Sequence, residues 1–128
     1  MTLVDTDVLI AHLRGQERAR DWLSTARRAG PLAISAVTVA EVYGGMRSAE
    51  RHEVRRLLDS LTCEPVTRSV GVRAGQLRRV YRRSHAAISV PDYLVAATAE
   101  TTGAPLATLN VRHFPMFDGL TPPFALAT

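Results

Sequence analysis

Asp5, with Asp7 two residues on, then Glu41, Asp92 and Asn110 are the side chains whose types and placing could do chemistry together. Carboxylates gathered at one place repel one another and raise each other's pKa values unless a cation stands among them. A divalent ion would resolve that repulsion. Hard oxygen donors, without a His or Cys ligand pattern, suit Mg²⁺ or Mn²⁺, with Mg²⁺ distances of about 2.0–2.1 Å and several waters retained. Each acid also has a plainer explanation. Asp5 can cap a helix that follows it, and Thr38-Val39-Ala40-Glu41 and Ser89-Val90-Pro91-Asp92 both have the hydroxyl-to-acid spacing of a capping box. Capping explains one acid per helix start. It does not explain why these starts should all fall on strand-to-helix turns.

Those turns follow from the periodicity of the chain. Short apolar runs over 3–5, 32–35, 63–66 and 105–109 read as strands, with Asp5 closing the first and Asn110 just past the last. Between them lie amphipathic segments: a short helix through Val8, Leu9, Ile10 and Leu13, then helices over 17–29, 38–46 and 50–61. A stripe of Val70, Ala74, Leu77 and Tyr81 marks another helix. A small-residue helix over 91–102 stops at Gly103, with Ala96 and Ala99 adding no bulk beside Asp92. Strands alternating with helices predict a mainly parallel sheet in a three-layer α/β/α sandwich. In such sheets the ligand site lies at the carboxyl ends of the strands, where these acids fall. The stretch from Gly119, with Pro122 and Pro123, reads as a trailing edge strand or tail.

The chain has 128 residues, 46% of them apolar, which predicts a single globular domain over 1–128 and excludes a disordered or fibrous protein. Its one cysteine, Cys63, cannot form an internal disulfide and is expected as a small buried hydrophobe in a reducing cytoplasm. No apolar run approaches the length of a membrane span, and the N-terminus lacks the pattern of a signal peptide. All 16 basic residues are Arg against 12 acids, a net charge of +4. Planar guanidinium forks suit phosphate, so an anionic partner is expected. Arg78, Arg79, Arg82 and Arg83, on an arc away from the apolar stripe of their helix, and Arg112 beside the acids are the candidates for following an RNA backbone. A solvated helix face explains the first four equally well. His113 could hold phosphate or simply pack beside Phe114.

Four segments then carry a resemblance: Val4-Asp5-Thr6-Asp7-Val8-Leu9-Ile10, Val37-Thr38-Val39-Ala40-Glu41-Val42-Tyr43-Gly44-Gly45, Asp92-Tyr93-Leu94-Val95-Ala96-Ala97-Thr98-Ala99 and Thr108-Leu109-Asn110-Val111-Arg112-His113-Phe114. In this order they resemble the PIN-domain ribonucleases, and more narrowly the VapC toxins of type II toxin-antitoxin pairs, over essentially the whole chain. The resemblance implies an endoribonuclease with Asp5, Glu41 and Asp92 as metal ligands and Asn110 at the fourth site, where Asp or Asn is usual. It implies Thr6 and Thr108 as supporting hydroxyls, Mg²⁺ or else Mn²⁺ as cofactor, and metal-activated water cutting RNA to a 5′-phosphate and a 3′-hydroxyl. A VapB-type antitoxin and a homodimer are the implied partners; the apolar helices over 8–13 and 50–61 could expose a groove for an antitoxin helix, and core packing explains their stripes equally well. Asp7 stands where Ser or Asn is usual in the family, and the neutral Asn110 leaves a second metal site open.

Two other functions compete. Val4-Asp5-Thr6-Asp7-Val8 also resembles the nucleophile motif of haloacid-dehalogenase-like phosphatases, but such an enzyme needs a Lys to neutralise its phosphoryl intermediate, and the chain has none. A non-catalytic RNA-binding module of the same fold would do better without three carboxylates facing phosphates.

Overall fold

The computed structural model describes residues 1–126. Four short strands, β1 (Thr2–Val4), β2 (Leu32–Ser35), β3 (Thr62–Glu64) and β4 (Leu106–Ala107), form one parallel sheet in the order β3-β2-β1-β4. Leu3 of β1 lies opposite Ala33 of β2 on one side and Leu106 of β4 on the other. Because side chains alternate across a strand, Leu3 and Ala33 enter one core while their neighbours Val4, Leu32 and Ile34 enter a second on the opposite face.

Six helices fill the two outer layers among the described residues. On the Val4 face, α1 (Thr6–Leu13), α2 (Glu17–Ala29), α3 (Ala36–Gly45) and α4 (Arg51–Asp59) contribute Val8, Leu9, Leu23, Val42, Val54, Leu57 and Leu58. On the Leu3 face, α5 (Arg68–Tyr81) contributes Val70, Ala74 and Leu77, and α6 (Val90–Thr102) contributes Tyr93, Val95, Ala96, Ala97 and Ala99. The expected three-layer α/β/α sandwich is therefore the fold. Gly103, at a left-handed φ of 68°, ends α6 and turns the chain into β4; a side chain there would meet strain rather than a clash. No helix among the described residues is long and apolar enough to cross a membrane.

Several expectations need correction. Strands β3 and β4 are shorter than the apolar runs suggest, and β1 lies one residue earlier, so Asp5 follows it rather than ending it. Thr38 is not a cap: α3 begins earlier, where Ser35 accepts a hydrogen bond from the Val37 N–H, leaving Thr38 buried inside the helix. The run over 50–61 divides into a 3-10 turn, Ser48–Glu50, and α4. Cys63 is exposed, because β3 is an edge strand paired only with β2. Ala96 and Ala99 face the α5 side of the sheet, where their small size lets α6 seat closely. Arg82 and Arg83 lie at and just past the end of α5. The stretch over 119–126 is a tail without a strand, and 127–128 lie outside the described residues.

Tyr93 is 1% exposed, yet its hydroxyl has no hydrogen-bond partner. An unpaired buried hydroxyl is a cost, whereas the ring fills the core. Tyr93→Phe is accordingly expected to raise the unfolding free energy by about 1 kcal/mol, and Tyr93→Ala to lower it by about 3–5 kcal/mol. Urea titration of the two variants checks both signs; a loss of stability in the Phe variant would show that the hydroxyl is satisfied.

Candidate active site

The carboxyl ends of β1 and β4 lie side by side, and the residues just past them meet. Asp5, the first residue after β1, caps α1: its Oδ1 accepts the Thr6 N–H at 2.9 Å. Its Oδ2 accepts from the Thr108 hydroxyl at 2.8 Å, one residue past β4. Asp7, in the first turn of α1, reaches the same place. Its Oδ2 accepts the Leu109 N–H at 3.1 Å and lies 3.3 Å from Thr108 Oγ1. Thr108 is fully buried and accepts the Asn110 N–H at 3.1 Å, so one hydroxyl ties together Asp5, Asp7 and the turn that carries Asn110.

The other two acids arrive from helices. Glu41 extends from α3 and accepts the Thr6 hydroxyl at 2.7 Å, with the Thr38 hydroxyl 3.4 Å from that of Thr6. Asp92 forms the expected capping box at the start of α6, its Oδ2 accepting from both the N–H (3.1 Å) and the hydroxyl (2.9 Å) of Ser89. Asp5, Thr6, Asp7, Glu41, Asp92 and Asn110 all line one cavity of about 750 Å³, whose remaining wall includes Ile10, Ala11, Leu109 and Leu126. The acids and amide singled out in the sequence are thus brought together.

Their electrostatics is strained. Burial, and next the charge of Asp7, push the Asp5 carboxyl up to about 7, although hydrogen bonds from Thr108 and Thr6 oppose the rise. Burial also raises Asp7, whose Oδ1 is enclosed without any partner. Among the described residues lining the cavity, Arg14 is the one basic side chain, and it is drawn away into an ion pair with Glu50. A cation is what this set lacks, and hard oxygen donors select a divalent one. The acids share a cavity rather than a point: among the described residues no three acidic or imidazole groups stand close enough to grip one ion as they are. That suits an ion that keeps most of its water and takes one or two carboxylates directly.

Of the other positions, Arg78, Arg79, Arg82, Arg83 and Arg112 are exposed and do not line the cavity. His113, left open between phosphate binding and packing, meets the acids: its Nδ1 lies 3.0 Å from Asp92 Oδ2 and 2.9 Å from Asn110 Nδ2. Its spacing of three from Asn110 was the available signal, because side chains three apart eclipse on a 3-10 turn. Arg14 carried no such signal; it is distinguished only by the tertiary position of its helix.

An α/β/α sandwich with carboxylates gathered at the carboxyl end of a short parallel sheet fits a metal-dependent hydrolase of phosphate esters, and the comparisons give the class. The PIN domain family matches residues 2–119, and the chain belongs to it. It is 61% identical over 98% of its length to ribonuclease VapC10 of Mycobacterium tuberculosis, covering 95% of that protein. It is 38% identical over 97% of its length to ribonuclease VapC19 of the same species, covering all of it. Among solved structures, a toxin-antitoxin complex from Klebsiella pneumoniae contains a chain with TM-score 0.79 and 27% identity, matching 97% of this chain and 98% of that one. The protein is a homologue of the VapC ribonucleases, enzymes of a family that depends on divalent metal. The phosphatase reading falls with that membership.

The raised Asp5 pKa fixes the sign of a pH effect. A carboxyl that holds its proton more tightly when folded adds stability below its ordinary value of 3.8, and that stability is lost as pH rises through about 7. The loss over this window is on the order of 4 kcal/mol at about 1.4 kcal/mol per pH unit. Chelator-treated protein is therefore expected to melt lower at pH 8 than at pH 5. Asp5→Asn, which keeps an acceptor for Thr6, should melt higher than wild type at pH 8. Calorimetric melts across this range would show no such slope if the acids were already neutralised.

Proposed function

We propose that this protein is the toxin of a VapBC-type pair, a cytoplasmic Mg²⁺-dependent endoribonuclease of one domain over 1–128 that acts as a homodimer and that a VapB-type antitoxin holds in check. The observation that carries the reading is the burial of Asp5 and Asp7 beside Asp92 and Glu41 in one cavity with no unpaired basic side chain among the described residues that line it. The relationship to VapC10 supports the substrate class, and the toxin-antitoxin complex from Klebsiella supports the partner. Mn²⁺ would serve as an alternative ion.

In this reading Asp5, Asp92 and Glu41 would hold the ion, one or two of them directly and the rest through its water, and Asn110 would occupy the fourth position. The chemistry a divalent ion supplies there is polarisation of the scissile phosphate and a lowered pKa for the attacking water. The chain does the rest. Thr108 and Thr6 hold Asp5 and Glu41 in place through single hydrogen bonds, so that neither carboxylate must be ordered when substrate arrives. Asp7 adds negative charge beside Asp5, which would strengthen the site's attraction for a cation. Ile10, Ala11, Leu109 and Leu126 form an apolar wall that excludes water on one side and offers a surface to a ribose or an unstacked base. The exposed arginines give RNA its long-range attraction.

Incubation of the purified protein with total bacterial RNA is expected to yield discrete fragments with Mg²⁺ or Mn²⁺ and none with chelator. Asp92→Asn should reduce the rate by at least about 10²-fold while leaving the melting temperature near that of wild type. Intact RNA at every metal concentration, with binding retained, would favour the non-catalytic module instead. Replacing Arg78, Arg79, Arg82 and Arg83 together is expected to flatten the salt dependence of RNA binding, by about 0.7 in log-log slope for each single-strand phosphate that the protein no longer neutralises.

A further inference from the structure

His113 takes no part in the roles assigned so far, yet it lies against two residues that line the cavity, Asp92 and Asn110. It belongs to the 3-10 turn Val111–His113, which is capped by Asn110, and its own N–H donates to the Asn110 carbonyl at 3.0 Å. The turn is anchored by the next residue: Phe114 is 1% exposed and stacks against Phe117 with ring centres 6.4 Å apart. The imidazole is thereby held by the core of the Leu3 face, not by the cavity that it borders.

The geometry points to His113 as a positioning residue for Asp92, acting through Nδ1. This inference rests on the reading of Asp92 as a metal ligand. A carboxylate can only accept, so at 3.0 Å from Asp92 Oδ2 the Nδ1 atom carries the hydrogen and donates it. Oδ2 then takes three donors, the N–H and hydroxyl of Ser89 and the Nδ1–H of His113. All three fall on one oxygen. The carboxylate is fixed in rotation, with Oδ1 left free of intrachain partners among the described residues and available to an ion.

The same ring nitrogen constrains Asn110. One Nδ1 cannot donate to Asp92 and accept from an amide N–H at the same time, so the amide of Asn110 must present its oxygen to Nδ1–H or give up the hydrogen bond. Turning that oxygen to Nδ1–H would put the amide NH2 toward the cavity, whereas the arrangement with Nδ2 at 2.9 Å from Nδ1 gives up the hydrogen bond and leaves the oxygen free of His113. Position 110 is uncharged, and its orientation determines whether it offers a carbonyl oxygen to a cation. Ligands that are prevented from turning by such outer partners bind metal more tightly, and loss of the partner typically costs about 10–100-fold in metal affinity.

Mn²⁺ binding by isothermal calorimetry tests this without reference to catalysis. His113→Ala is expected to weaken Mn²⁺ affinity by about 10–100-fold. His113→Asn, whose amide nitrogen lies where Nδ1 was, should restore it to within about threefold. His113→Gln, whose amide lies where Nε2 was, should not. Wild-type affinity in the Ala variant, failure of Asn to restore it, or equal recovery by Gln would each overturn the inference. Melting curves of the Asn and Gln variants confirm that folded proteins are compared. Asp92→Asn serves as the control: if it loses Mn²⁺ while His113→Ala binds normally, the metal site stands and the role of His113 falls. If Asp92→Asn also binds normally, the reading of Asp92 itself fails.

Discussion

A carboxylate placed out of water beside another carboxylate is the constraint on which this structure turns. Asp5 is 7% exposed, and with Asp7 next to it its carboxyl is pushed up to about 7. A protein evolving only for stability would replace such a pair, since an uncompensated buried charge costs several kcal/mol. Instead the surroundings accommodate it. The parallel sheet delivers Thr108 from just past β4 to the end of β1, the Thr6 N–H of α1 donates to Asp5, and the Leu109 N–H supports Asp7. Each of these donors eases the repulsion without removing it.

Structural and functional uses of the acids are compatible because a carboxylate has two oxygens and more lone pairs than a cap requires. Asp5 caps α1 through Oδ1 and engages Thr108 through Oδ2; Asp92 closes the capping box of α6 through Oδ2 alone. Capping a helix and holding an ion are therefore not exclusive roles for these side chains. Helix N-termini also bring a favourable field for negative charge, which helps hold the acids in place while no cation is present.

Charge is divided across the molecule. The chain as a whole is basic, with a net charge of +4, while the cavity gathers acids and Arg14, the one arginine among the described residues that line it, is occupied by Glu50. An RNA strand is attracted by the surface and repelled by the acids of the cavity. A divalent ion reconciles the two, neutralising the acids and offering the phosphate a positive centre. Membership of the PIN domain family and 61% identity to ribonuclease VapC10 accord with this arrangement.

The sequence by itself determined the layer order, the acids and the company they keep. Period-two and period-3.6 patterns report which residues must leave water, and the four motif segments lie in an order that one sheet edge can gather. Local capping was legible where the hydroxyl stood directly before the helix, as at Ser89, and was misread at Thr38, where Ser35 had already started the helix three residues earlier. The exposure of Cys63 was not legible, because edge or centre is a matter of strand order, which no local pattern records. Tertiary structure alone decided that Thr108 would be shared between Asp5 and Asp7, that Arg14 would pair with Glu50, and that His113 would meet Asp92 across 21 residues of chain. These meetings depend on distances between elements set by side-chain packing across the whole sheet, and hydrogen bonds are satisfied or broken over less than an ångström.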